Sequence, residues 1–198
     1  MQTHPMNRPE LPRRRRLTVR DYERMGEAGI FPPEARVELL DGDLVEMPPM
    51  GQPHAGILLQ LTRLLVLRAE GHARVATQLP LSLPPWSMPE PDFVLLRLRA
   101  DDYRRERASA QDVLVAIEVA DSSLRYDLIR KARVYAANGL PEYWVIEATA
   151  RRLHRFVDPR PADGHWGRTE ILEAPFTVSP NALPQLALAS DEIWPPAD

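Results

Sequence analysis

Residues 113–120 read VLVAIEVA, eight positions carrying one charge, Glu118. This run reads as a candidate strand. A carboxylate inside such a run is costly to bury unless a cation or several donors meet it. Taken alone, Glu118 reads as half of a structural salt bridge to an arginine. Upstream, residues 89–98 read PEPDFVLLRL, and Asp92 opens a second apolar strand directly after Pro91. Taken alone, Pro91-Asp92 simply starts that strand. The two strands are sequence neighbours, separated by the charged segment RADDYRRERASAQ at 99–111. If they pair antiparallel, the start of the first lies beside the end of the second, and Asp92 comes near Glu118. The two-residue period then puts Asp92, Val94 and Leu96 on one face, and Glu118, Ala116 and Leu114 on one face. Two carboxylates at one sheet edge repel each other unless one is protonated or a cation sits between them. Carboxylate oxygens are the ligands Mg²⁺ prefers, with water and phosphate oxygens completing its shell.

A helix follows at about 126–138 and ends at Asn138-Gly139, a good C-cap signal. It carries Lys131, and the 25 basic residues of the chain are 24 arginines and this one lysine. A position that needs a compact point charge does not accept a wide planar guanidinium. Chance survival of one lysine is the other reading. Asp127 lies four positions before Lys131 on the same helix face, the spacing of an ordinary surface ion pair. In the functional reading the ammonium faces a metal-bound phosphate instead.

Outward from this centre, Thr18 and Asp21 start a helix that runs to about Gly29. Residues 36–47, RVELLDGDLVEM, alternate on both sides of Asp41-Gly42 and predict a β-hairpin. A helix is expected at about 54–70, burying Ile57, Leu58, Leu61, Leu64, Leu65 and Leu67. Further strands are expected at 73–83, 142–147 and 151–157, with edge strands and loops from 166 onward. Helix, three strands, helix, strand fits an α/β protein of the α+β type, with one mixed sheet and helices packed on it.

Residues 1–16, with Arg13 to Arg16, read as a disordered basic tail, and 17–198 as a single domain. No apolar run is long enough to span a bilayer, so no membrane is expected. The N-terminal charge is not followed by an apolar stretch, so it does not read as a secretory signal. The absence of cysteine excludes disulfides and thiolate zinc sites and fits a cytoplasmic protein. The net charge of −3 argues against a nucleic-acid coat protein but leaves room for a local basic surface. Arg97, Arg99, Arg104, Arg105 and Arg107 cluster in one segment, which reads either as a track for a phosphate backbone or as a solvated loop.

Pro91-Asp92 before one strand and Glu118-Val119-Ala120 at the end of the next resemble the signature of the PD-(D/E)XK nuclease superfamily. The third signature position, normally lysine, is Ala120 here. The stretches VELLDGDLVEMPPMGQPH, IEVADSSLRYDLIRKARVY and NGLPEYWVIE, in this order with the Pro-Asp strand, are similar to one branch of it. That branch is the Uma-type (Uma-two) restriction endonuclease family, and the resemblance covers about residues 17–190. It implies a restriction-endonuclease-like core preceded by a helix and a β-hairpin. It also implies that the lysine has moved to the following helix, as Lys131. It implies a metal-dependent endonuclease hydrolysing DNA, with Mg²⁺ or Mn²⁺ held by Asp92 and Glu118, assisted by Glu38. Asp92, Glu118 and Lys131 become the catalytic set. Glu38 reads equally as a hairpin surface residue. His54 matches a family histidine for phosphate contact or proton transfer, and reads as well as a locally satisfied helix residue. Tyr135, Tyr143 and Trp144 match too, and read as core. A homodimer would suit cutting of both strands. The rival reading is a nuclease-fold protein that binds DNA or a protein partner without cutting.

Overall fold

The computed structural model describes residues 14–195. Helix α1 (Val19–Glu27) starts on a capping box in which Thr18 and Asp21 satisfy each other's backbone N–H. The expected hairpin is β1 (Val37–Leu40) and β2 (Asp43–Glu46). Both turn residues are left-handed, Asp41 at φ 53° and Gly42 at φ 80°, as a type I′ turn requires. Of the basic tail expected at 1–16, residues 1–13 lie outside the described ones. Arg14 and Arg16 lie against this hairpin, paired with Asp43 and Asp41.

Helix α2 (Gln52–Ala69) begins beside Pro53, whose missing N–H costs nothing in a first turn. It buries Ile57, Leu61, Leu64 and Leu65, but Leu67 is 63% exposed, contrary to the expected buried face. Strand β3 (Arg74–Thr77) is much shorter than the 73–83 expected. Residues beyond it leave the sheet in an irregular excursion that touches β1 through the Leu39–Met88 bridge. Pro80, Pro84, Pro85 and Pro89 explain this, since proline removes ladder donors.

Strands β4 (Phe93–Leu96) and β5 (Val113–Ala120) pair antiparallel, Phe93 with Ile117 and Val94 with Ala116. The register shifts after Leu95, which faces Val115 while Leu96 faces Val113. Leu114 is therefore the extra residue of a β-bulge. Val113, not Leu114, shares the face of Ala116, which corrects the simple alternation.

The crossing helix α3 is continuous through Leu124–Tyr126, a π-helical stretch Asp127–Lys131, and Ala132–Ala137. It delivers the chain to β6 (Glu142–Glu147), which lies parallel to β5. Long antiparallel strands β7 (Arg152–Arg160) and β8 (His165–Glu173) extend the sheet, whose order is β3-β4-β5-β6-β7-β8. A short pair, β9 (Thr177–Val178) and β10 (Leu188–Ala189), precedes α4 (Ser190–Ile193). The result is a mixed α+β fold. One sheet face packs Phe93, Leu95, Ile117 and Trp144 on α2 and α4. The other packs Val94, Ala116, Val145 and Tyr143 on α3 and the hairpin residue Leu40. No helix among the described residues is long and apolar enough to cross a membrane.

Candidate active site

The register of β4 on β5 carries Asp92 to the level of Glu118, at the carboxyl end of β5. Three other elements close on that end: β1 with Glu38, the first turn of α2 with His54, and α3 with Asp127 and Lys131. All six side chains line one small cleft, with about 40 Å³ open inside it. That is room for an ion or a water or two. Its lining carries the carboxylates Glu38, Glu90, Asp92, Glu118, Asp121 and Asp127 against only Arg36 and Lys131.

Lys131 is buried, with its side chain 2% exposed. Its ammonium donates to Glu118 Oε1 at 3.0 Å and to Glu38 Oε1 at 3.1 Å. Tyr135, one helical turn on, donates its hydroxyl to the same Glu118 Oε1 at 2.9 Å. Both bonds to Glu118 fall on one oxygen, leaving Oε2 without a partner among the described residues. Asp92 is fixed by the Val119 N–H donating to Oδ2 at 2.8 Å. His54 Nε2 stands 3.2 Å from the other oxygen of Asp92, in ion-pair range but not aligned for a hydrogen bond.

Asp127 is also buried, not at the surface, and forms no bond to Lys131. Its Oδ2 accepts from Ser123 Oγ at 2.6 Å, while Oδ1 is buried with no partner. Glu38 Oε2 is orphaned in the same way. The π-helical turn that spans Asp127–Lys131 places both residues inside. Such turns recur at functional sites because they re-aim side chains at the expense of regular hydrogen bonding.

The electrostatics follow from burial and from the excess of acid. Burial pushes the Glu118 carboxyl well above the ordinary range; Lys131 pulls it back, and Asp127, Asp92 and Glu38 add to the rise. Burial likewise raises Asp127 to about 6, opposed by Lys131 and the Ser123 bond. For Lys131 burial works against the charge, but Glu118, Glu38 and Asp127 outweigh it and hold the ammonium above the usual lysine range. Lys131 is thus a fixed cation among acids that resist ionising together.

Asp92, Glu118, Lys131, Glu38 and His54 all meet here. Trp144 does not: it lies on the opposite face of the sheet, its indole N–H bonded to Glu142. Tyr143 donates to the Asp127 backbone carbonyl at 3.2 Å, and Tyr135 reaches Glu118 directly, so neither tyrosine is only core. Asp127, Lys131 and Tyr135 recur every fourth residue, a helix-face spacing that marks the three as one unit. The arginine segment does not join them. Arg97 and Arg99 leave the end of β4 remote from Asp92. Arg99 is paired with Asp101 and Arg107 with Glu23 of α1.

Among the described residues no group of three or more His, Asp or Glu side chains forms a ready-made cage that could hold a metal ion. A cage is not what Mg²⁺ requires, since it keeps several waters and takes one or two carboxylates. Hard oxygen donors, two of them buried without partners, fit such an ion.

Replacing Tyr135 with Phe removes one buried donor and leaves Glu118 Oε1 to Lys131 alone. The expected loss is about 1–3 kcal/mol, measured by urea unfolding at neutral pH.

A mixed sheet with acids and a buried lysine gathered at one end of its central strands defines the class: a nuclease-like α+β fold. The chain belongs to the Uma2 family, described as "Putative restriction endonuclease", whose model matches residues 19–191. No curated protein matches it. Its fold is similar to that of a crystal structure described as "a putative nuclease belonging to DUF820" from Anabaena variabilis ATCC 29413. The two share 15% identity at a TM-score of 0.69, over 89% of this chain and 97% of that one.

Proposed function

We propose that this protein is a Mg²⁺- or Mn²⁺-dependent endonuclease that hydrolyses phosphodiester bonds in DNA, with residues 17–198 acting as one domain. The observation that carries the reading is the buried Lys131 ammonium bridging Glu38 and Glu118, with Asp92 beside them in an acidic cleft. A structural salt bridge needs one carboxylate per cation. Here the acids exceed the cations, and two carboxylate oxygens are left orphaned. That surplus fits a site completed by a divalent ion.

Asp92 and Glu118 would hold the metal, with Glu38 assisting. When bound, the ion would lower the pKa of a coordinated water and supply a counter-charge for phosphate oxygens. The protein's own part is positioning. The Val119 N–H fixes Asp92. Tyr135 and Lys131 hold Glu118 by one oxygen, and the other stays open. Lys131, a compact charge already oriented by two acids, stabilises the negative charge that grows on the phosphoryl oxygens. His54 lines the same cleft, its Nε2 buried 3.2 Å from Asp92, and is the candidate phosphate contact once Asp92 is engaged by the ion. A cysteine-free chain loses nothing in the reducing cytoplasm, where we place it.

The reading predicts that the purified protein cuts duplex DNA in Mn²⁺ and does nothing to it in EDTA. Binding without cutting in either condition would move the protein to the rival, non-catalytic class. A parallel RNA substrate of the same sequence tests the choice of nucleic acid.

A further inference from the structure

We infer that α2 is the contact surface of a twofold homodimer, packing antiparallel on α2 of a second copy. The inference does not depend on the nuclease reading. It starts from a misfit between sequence and fold. Helix α2 is apolar on two sides, and the sheet covers only one of them. On the outer side Leu59 is 76% exposed, Val66 51% and Leu67 63%. Single exposed apolar residues are ordinary, but three along one face of one helix form a stripe. Leu59, Arg63, Val66 and Glu70 follow at steps of four, three and four, the seam spacing of helices that pack in pairs.

The charges on this stripe name the partner. Arg63 and Glu70 are both exposed. Ion pairs from α2 run from His54 to Asp92 and from Arg68 to Glu192; Arg63 and Glu70 join none among the described residues. Seven residues apart on a helix means roughly 10 Å along the axis, so the two do not satisfy each other well. An antiparallel copy solves this. With the twofold axis near Val66 and Leu67, Arg63 of each copy comes within reach of Glu70 of the other, Val66 and Leu67 of the two copies meet between them, and Leu59 flanks the contact outside Arg63. The surface is therefore self-complementary, as a twofold contact must be. A parallel pairing would place like charges together.

Light scattering on the eluting full-length protein tests this. The expected mass is twice that of the 22.5 kDa chain. Val66→Asp should give the monomer while keeping the wild-type circular dichroism spectrum. Arg63→Glu or Glu70→Arg alone should weaken the dimer about tenfold or more, because symmetry turns one change into two repulsive contacts. The double variant Arg63→Glu with Glu70→Arg should restore it. A monomeric wild type at 100-micromolar-scale concentration overturns the proposal. So does a dimer indifferent to Val66→Asp, and so does a charge-swapped double variant that stays monomeric.

Discussion

Replacing Lys131 with Met is expected to abolish cleavage and to cost about 3–5 kcal/mol of stability at pH 8, measured by urea unfolding. The volume is nearly kept, so the loss is electrostatic. Glu38 and Glu118 would remain buried with no cation, and breaking a buried pair by removing one partner leaves an uncompensated charge. Protonation offers the acids an escape, so the cost should shrink at pH 5. Lys131→Arg is the sharper probe of chemistry. It keeps the charge, yet a guanidinium is wider than the ammonium it replaces in a side chain only 2% exposed. Overpacking should cost about 1–3 kcal/mol, and activity should fall even where the fold survives. Wild-type cleavage by the Arg variant would remove lysine from the catalytic account.

What was legible in the sequence, and what was not, divides along local and non-local lines. The β5 run VLVAIEVA, the Asp41-Gly42 turn and the Thr18 cap are read from a few neighbouring residues, and each appears where the local chemistry puts it. The level pairing of Asp92 with Glu118 needed only strand order and direction. The lone lysine among 24 arginines pointed to a special position. Three features resisted. The bulge at Leu114 depends on the partner strand, and no residue type announces it. The short length of β3 resisted because the apolar residues of 73–83 read as strand, while the prolines beyond Thr77 end the ladder. Asp127 looked like the surface partner of Lys131 at four-residue spacing, because a helix wheel does not show which face the sheet will cover. Tyr135, one turn further on the same face, was the available signal for a polar role. Similarly, Leu67 was placed with the buried residues of α2 because a helix apolar on two sides does not declare which one the sheet will cover.

The second large effect couples pH to metal. Glu118 and Asp127 titrate higher in the folded protein than their ordinary values. A carboxyl with a raised folded pKa stabilises the fold below its unfolded pKa, and that stability is lost as pH rises through the folded value. For Asp127 the window runs from the ordinary 3.8 to about 6, and Glu118 extends it upward. Metal-free protein should therefore melt lower at pH 8 than at pH 5. Divalent cations favour the ionised forms, so Mg²⁺ or Mn²⁺ should raise the melting temperature more at pH 8 than at pH 5. Glu118→Gln should flatten the metal-free pH dependence, because the amide carries no charge to be repelled by Asp92, Asp127 and Glu38. It should also lose most of the metal effect. Lys131 keeps Glu38 in that variant, so the cation is not stranded. If Glu118 is only a structural partner of Lys131, the Gln variant should instead melt lower at both pH values, with or without metal.

Cleavage itself is the most direct test of the central claim, that the acidic cleft at the end of β5 hydrolyses phosphodiesters. Pure wild-type protein and the Asp92→Ala variant are incubated side by side with supercoiled plasmid and Mn²⁺, and circular dichroism checks that both are folded. Wild type should convert the plasmid to nicked and linear forms, and the variant should leave it supercoiled. Equal cutting by both proteins, or an intact plasmid with both, would contradict that claim.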